Sequence, residues 1–85
     1  MAKAVVKVQT EVGLHARPAA EFVKAVAASG HLVQISNRAG KKVLGYSILG
    51  ILSLGVKHGE EITIEVTGLD EQVVLDTLIA VVSGL

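Results

Sequence analysis

From Lys3 to Val8 apolar and polar residues alternate, with Ala4, Val6 and Val8 on one side, Lys3 and Lys7 on the other, and Val5 between the two lysines. This period of two predicts a half-buried strand. From Pro18 to Ala28 the spacing becomes helical, because Ala19, Phe22, Val23 and Val26 fall at i, i+3, i+4 and i+7, and Ser29-Gly30 supplies a C-terminal stop. Leu32 to Ser36 alternates again, and Asn37-Arg38-Ala39-Gly40 reads as a hairpin turn into a strand at Lys41-Lys42-Val43. Ser47 to Leu54 is short and apolar, opens on a good N-cap residue and closes at Gly55, which predicts a helix of about two turns despite Gly50 inside it. Glu61 to Thr67 alternates most cleanly, with Ile62, Ile64 and Val66 facing inward and Glu61, Thr63, Glu65 and Thr67 facing outward. Asp70 and Glu71 place negative charge at the start of a last helix, whose apolar stripe is Val74, Leu75, Leu78, Ile79 and Val82.

The element order is therefore β-α-β-β-α-β-α. Strands with one polar face and helices with one apolar stripe fit an α/β (α+β) open-faced sandwich: a four-stranded antiparallel sheet covered on one face by three helices. At 85 residues, without repeats, linkers or low-complexity stretches, the expected organisation is a single domain over 1–85.

Composition narrows the function classes. Eight Lys plus Arg balance eight Asp plus Glu, so no basic field exists to draw a polyanion, and only Phe22 and Tyr46 could stack on bases. A nucleic-acid partner is not expected. The absence of cysteine removes disulfides and thiol chemistry, and the three histidines are not at metal-ligating spacing from one another, so neither a metal nor a cofactor is expected. No apolar run reaches the roughly 18 residues of a membrane span and Met1-Ala2-Lys3-Ala4-Val5 is unlike a signal peptide, which makes a cytoplasmic location the expectation. A chain of this size has little room for a deep cavity beside its core, so its chemistry belongs on the surface, towards macromolecular partners.

The segment Gly13-Leu14-His15-Ala16-Arg17-Pro18-Ala19 joins the first strand to the first helix. Pro18 lacks a backbone donor and has a fixed φ, which restricts it to the first helical turn and puts His15 at or next to the N-cap. The backbone amides of Ala16 and Arg17, the positive end of the helix and the Arg17 guanidinium then form a receptor for an anion such as phosphate. The same positive environment disfavours imidazolium, leaving His15 neutral with a lone pair for attack. On the residues alone two readings stay open: a phosphoryl acceptor, or a solvated capping histidine. His31, after a helix stop, and His58, in Lys57-His58-Gly59-Glu60, are expected to be solvated loop residues. Ser47 reads as a plain N-cap, and Ile48, Leu49 and Leu52 read as core.

Residues 13 to 19 closely resemble the active-site signature of the histidine-containing phosphocarrier (HPr) family of the bacterial phosphoenolpyruvate:sugar phosphotransferase system. Ser47-Ile48-Leu49-Gly50-Ile51-Leu52-Ser53-Leu54-Gly55, continued by Gly59-Glu60-Glu61-Ile62, is similar to that family's Gram-positive regulatory-serine segment. The resemblance covers essentially the whole chain and implies a carrier rather than an independent enzyme. Enzyme I, charged by phosphoenolpyruvate, would pass a phosphoryl group to Nδ1 of His15, which would pass it to enzyme IIA units of sugar permeases. Arg17 would balance charge during transfer. The resemblance further implies that Ser47 is the target of an HPr kinase/phosphorylase, that phosphoserine recruits a catabolite control protein, and that Ile48, Leu49 and Leu52 form an apolar docking patch. The expectation is a monomer that binds neither nucleic acid nor membrane. Two alternatives stand beside it: a regulatory or nitrogen-related paralogue acting mainly through protein binding, and a small binding module of similar shape without phosphotransfer.

Overall fold

The computed structural model describes residues 2–8 and 16–84. Seven elements follow in the expected order: β1 (Ala2–Lys7), α1 (Ala16–Ser29), β2 (Leu32–Ser36), β3 (Lys42–Leu44), α2 (Ile48–Ser53), β4 (Glu61–Thr67) and α3 (Glu71–Gly84). The strands form one antiparallel sheet in the order β1-β4-β2-β3. In register, Ala4 and Ile35 flank Ile64, and Ala2 and Val33 flank Val66, so one sheet face presents a continuous aliphatic surface. Phe22 and Val26 of α1, Ile51 of α2, and Leu75, Leu78 and Val82 of α3 close over it. The other face is open, and the only large apolar residues it leaves to solvent among the described strands are Val5, Leu32 and Leu44.

Local chemistry explains the boundaries. Helix α1 takes in Ala16 and Arg17 ahead of Pro18, which keeps the proline within the first turn, and Gly30 ends the helix with φ 67°. Strand β3 starts one residue later than the alternation suggests, because Lys41 is used in the turn. Its amide donates to Asn37 Oδ1 (2.9 Å) and its carbonyl accepts from the Asn37 amide (3.1 Å), with Gly40 at φ 91°. Past the turn, Ser36 stands opposite Lys42.

One expectation is corrected. Glu65 does not face solvent: it is buried, 8% exposed, and its carboxylate meets Lys42 Nζ at 3.1 Å. The cause is position across the sheet rather than along the strand. Strand β4 is interior, with Lys3 on one side and Gln34 on the other directly opposite Glu65, and Lys42 reaches across β2. Alternation specifies the face of a residue; neighbouring strands specify its depth.

Candidate functional site

The first turn of α1 is seated on the core. Pro18 and Ala19 are buried while Arg17, one residue earlier, is exposed. Burial of the proline fixes where the helix enters, and leaves Arg17 exposed beside that entry. No acidic residue lies in that first turn, so the positive end of α1 is not neutralised from within the helix. His15, with Gly13 and Leu14, lies outside the described residues; in sequence it is the residue immediately before Ala16, where α1 begins.

Helix α2 is only six residues long, too short to persist on its own propensity. It is held at both ends. Ser47, extended at φ −109° and ψ 109°, accepts the Gly50 amide on Oγ at 3.0 Å. Gly50 has a reason to be there: a Cβ would stand 3.1 Å from Ser47 Oγ and 3.3 Å from Val43 Cβ, tighter than ordinary contact. At the other end, Asn37 Nδ2 donates to the Leu54 carbonyl (3.1 Å) and Lys41 Nζ to the Ser53 carbonyl (3.2 Å), so the β2–β3 hairpin caps α2 and sets a cation at its negative end.

This framing sorts the apolar residues of α2. Ile51 is fully buried and Leu52 is half-buried against the core. Leu49 is 80% exposed and Ile48 39%, with Tyr46 also exposed just ahead of the helix. Ordinary core is therefore excluded for Leu49 and Ile48, and the residue that anchors α2 is Ile51, which sequence spacing did not single out. The helix packs against α1. Ser47 is half-buried at its N-cap, and the residues read as a docking patch divide into an exposed pair and an inner Leu52.

Among the depressions in the described surface are two shallow ones of about 190 and 210 Å³. Neither is lined by Arg17, Ser47, Ile48, Leu49 or Leu52. Among the described residues no cluster of His, Asp or Glu is arranged to hold a metal ion, and no helix is long and apolar enough to cross a membrane. What the arrangement offers is an exposed arginine at a helix start and exposed apolar side chains on a short, doubly capped helix.

His58 is exposed, as expected. His31 is not a solvated loop residue. It is half-buried, and its ring lies between two backbone carbonyls, those of Ser29 and Leu69. The Leu69 partner is 38 residues away in the chain, so no local sequence signal could have revealed it.

Comparison with known proteins agrees with this geometry. The family model described as PTS HPr component phosphorylation site matches residues 2–83. The HPr-like protein Crh of Bacillus subtilis is 43% identical over 77 residues, covering 91% of this chain and 89% of that protein. Among solved structures, the phosphocarrier protein HPr of Bacillus anthracis superposes with a TM-score of 0.87 at 38% identity, covering 94% of both chains. A crystal structure of B. subtilis Crh, described as a dimer with a swapped domain, gives a TM-score of 0.76 at 40% identity over 99% of this chain and 95% of that one. With a matching element order, a capped α2 bearing exposed apolar residues and a family match over nearly its whole length, the chain belongs to the HPr family of phosphotransferase-system phosphocarriers.

Proposed function

We propose that this protein accepts a phosphoryl group on His15 from phosphorylated enzyme I and delivers it to enzyme IIA units of sugar permeases. The observation that carries the reading is that α1 begins at Ala16, immediately after His15, with Pro18 buried in its first turn and Arg17 exposed. Free amides at a helix start are natural donors to phosphate oxygens, and an adjacent guanidinium adds charge that strengthens them. In the transfer, the Nδ1 lone pair of neutral His15 attacks phosphorus; the new N–P bond forms as the bond to the enzyme I donor breaks, and the electron pair of that bond stays with the donor. The reverse division of roles passes the group to enzyme IIA. The Ala16 and Arg17 amides hold the phosphoryl oxygens, and Arg17 offsets charge as the group arrives and leaves.

Regulation belongs to the same reading. Ser47 is the substrate of an ATP-dependent HPr kinase/phosphorylase, and Ile48, Leu49 and Leu52 are the docking patch. A phosphate adds about −1.5 to −2 charges at the edge of that patch, which opposes apolar docking of enzyme I and gives a catabolite control protein a charged handle. The protein works as a cytoplasmic monomer; the swapped dimer of the Crh structure makes sedimentation at micromolar concentration the check on that point.

The test is incubation with phosphoenolpyruvate and purified enzyme I, followed by intact mass and acid treatment. One acid-labile phosphoryl group is expected on the wild type and none on His15→Ala. A wild type that gains no phosphate, or a His15→Ala variant that gains it equally, overturns the assignment. The regulatory-paralogue alternative is favoured by the first of these outcomes combined with ATP-dependent labelling of Ser47.

A further inference from the structure

At the end of the sandwich opposite to the start of α1, four observations meet on His31. Its Nδ1 lies 2.7 Å from the Ser29 carbonyl oxygen at the end of α1, and its Nε2 meets the Leu69 carbonyl oxygen in the loop before α3. The ring edge fills the space beside Gly68: a Cβ there would sit 2.5 Å from His31 Cδ2, and Gly68 is at φ +148°, so both sterics and backbone demand glycine. Asp70, on the far side of Leu69, is the one described non-glycine residue with positive φ (54°), an uncommon conformation that surrounding contacts must hold. The His31 amide donates to Ser29 Oγ (3.2 Å), which itself donates to the Val26 carbonyl (2.7 Å), and these bonds fix the ring's own backbone.

Carbonyl oxygens only accept hydrogen bonds. A ring with a carbonyl on each nitrogen can satisfy both only by donating twice, which requires the imidazolium; a neutral ring has one N–H, and its other lone pair would face a carbonyl lone pair. We propose that His31 is a proton-operated clip: protonated, it ties the end of α1 to the loop that starts α3 through the Ser29 and Leu69 carbonyls, and on losing its proton it releases one of them. Among the described residues the charged groups that face it are Asp70, immediately before α3, and Glu71, the first residue of α3, both favouring the cation. The Leu69 and Ser29 carbonyls are the larger influences, and together they hold His31 above the ordinary histidine value, against a smaller opposing effect of desolvation. Glu71 is itself held below the usual carboxylate range, with hydrogen bonds from the Gly68 and Ala2 backbones contributing against partial desolvation. Both carboxylates persist when His31 is replaced.

The sign follows from the raised value in the folded state. The clip's contribution to stability is fully present below the unfolded histidine pKa of about 6.5 and is lost as pH rises through the folded one. The test is NMR of the full chain between pH 5 and 9, with unfolding of the wild type and His31→Gln over the same range. Both His31 ring nitrogens are expected to carry protons at pH 6, with a midpoint above 6.5, and the Leu69 carbonyl carbon signal is expected to move at the same midpoint. The ratio of wild-type to variant folding constants is expected to fall by up to about tenfold per pH unit between the two values. A His31 midpoint at or below the ordinary value, or a ratio independent of pH, overturns the proposal. Should His31→Gln not fold, the wild-type titration decides alone.

Discussion

Ser47 carries two demands on one oxygen. Its Oγ accepts the Gly50 amide and so starts α2, and the same atom is the proposed phosphorylation site. Losing an N-cap acceptor costs about 1 kcal/mol, which in a domain of this size lowers Tm by roughly 4–8 °C. Ser47→Ala is therefore expected to melt several degrees below wild type and to lose ATP-dependent labelling, whereas Ser47→Asp is expected to melt close to wild type because its carboxylate can still cap. Thermal unfolding monitored by circular dichroism checks both; equal melting of the alanine variant and wild type would show that the cap contributes nothing. The serine was legible in the sequence as a cap because Ser before an apolar run and Gly after it are strong local signals. His31 and Glu65 were misread for a common reason: their partners, Leu69 and Lys42, are distant in sequence, and only the folded sheet and helix ends bring them together.

At the scale of elements, α2 shows how a helix of six residues is made to persist. The hairpin supplies Asn37 and Lys41 to its C-terminal carbonyls, Ser47 supplies its N-cap, and Ile51 is its buried anchor. Ile51 and Leu49 make a paired prediction. Removing the Ile51 side chain leaves a cavity under the helix and is expected to cost about 2–5 kcal/mol, whereas Leu49→Ala, at a position 80% exposed, is expected to change stability little. Enzyme I-dependent phosphorylation rates reverse the order of interest: Leu49→Ala is expected to raise KM for enzyme I while leaving Tm unchanged. Urea unfolding and initial-rate measurements separate the two, and a Leu49→Ala variant with wild-type KM would remove that residue from the docking patch. The period-two strands β1, β2 and β4 and the stripes of α1 and α3 were legible because each carries enough turns of one period to define a face. In α2 the run is too short and too uniformly apolar for periodicity to tell Ile51 from its neighbours.

At the scale of the molecule, the even balance of eight basic and eight acidic residues turns modification into a readable signal. One phosphate adds about −1.5 to −2 charges to a chain of formal net charge zero. Each phosphorylation, at His15 or Ser47, is expected to produce a separate later-eluting species on anion exchange near neutral pH, with acid treatment collapsing only the phosphohistidine peak. Co-elution of modified and unmodified protein would mean that the group is not displayed to solvent as a charge.

The strand order β1-β4-β2-β3 sets Ala2 opposite Val66 and Lys7 opposite Glu61, so β1, made ahead of the other three strands of the sheet, has no strand partner until β4 has been made. Until then β2 and β3 can pair only with each other, and the aliphatic face of β1 must wait uncovered. Pairings that close such long loops are slow relative to local helix and hairpin formation. Among these four strands the order of synthesis and the order of assembly therefore differ: β1, the earliest of them, joins at the edge after the interior strand β4 has arrived to receive it.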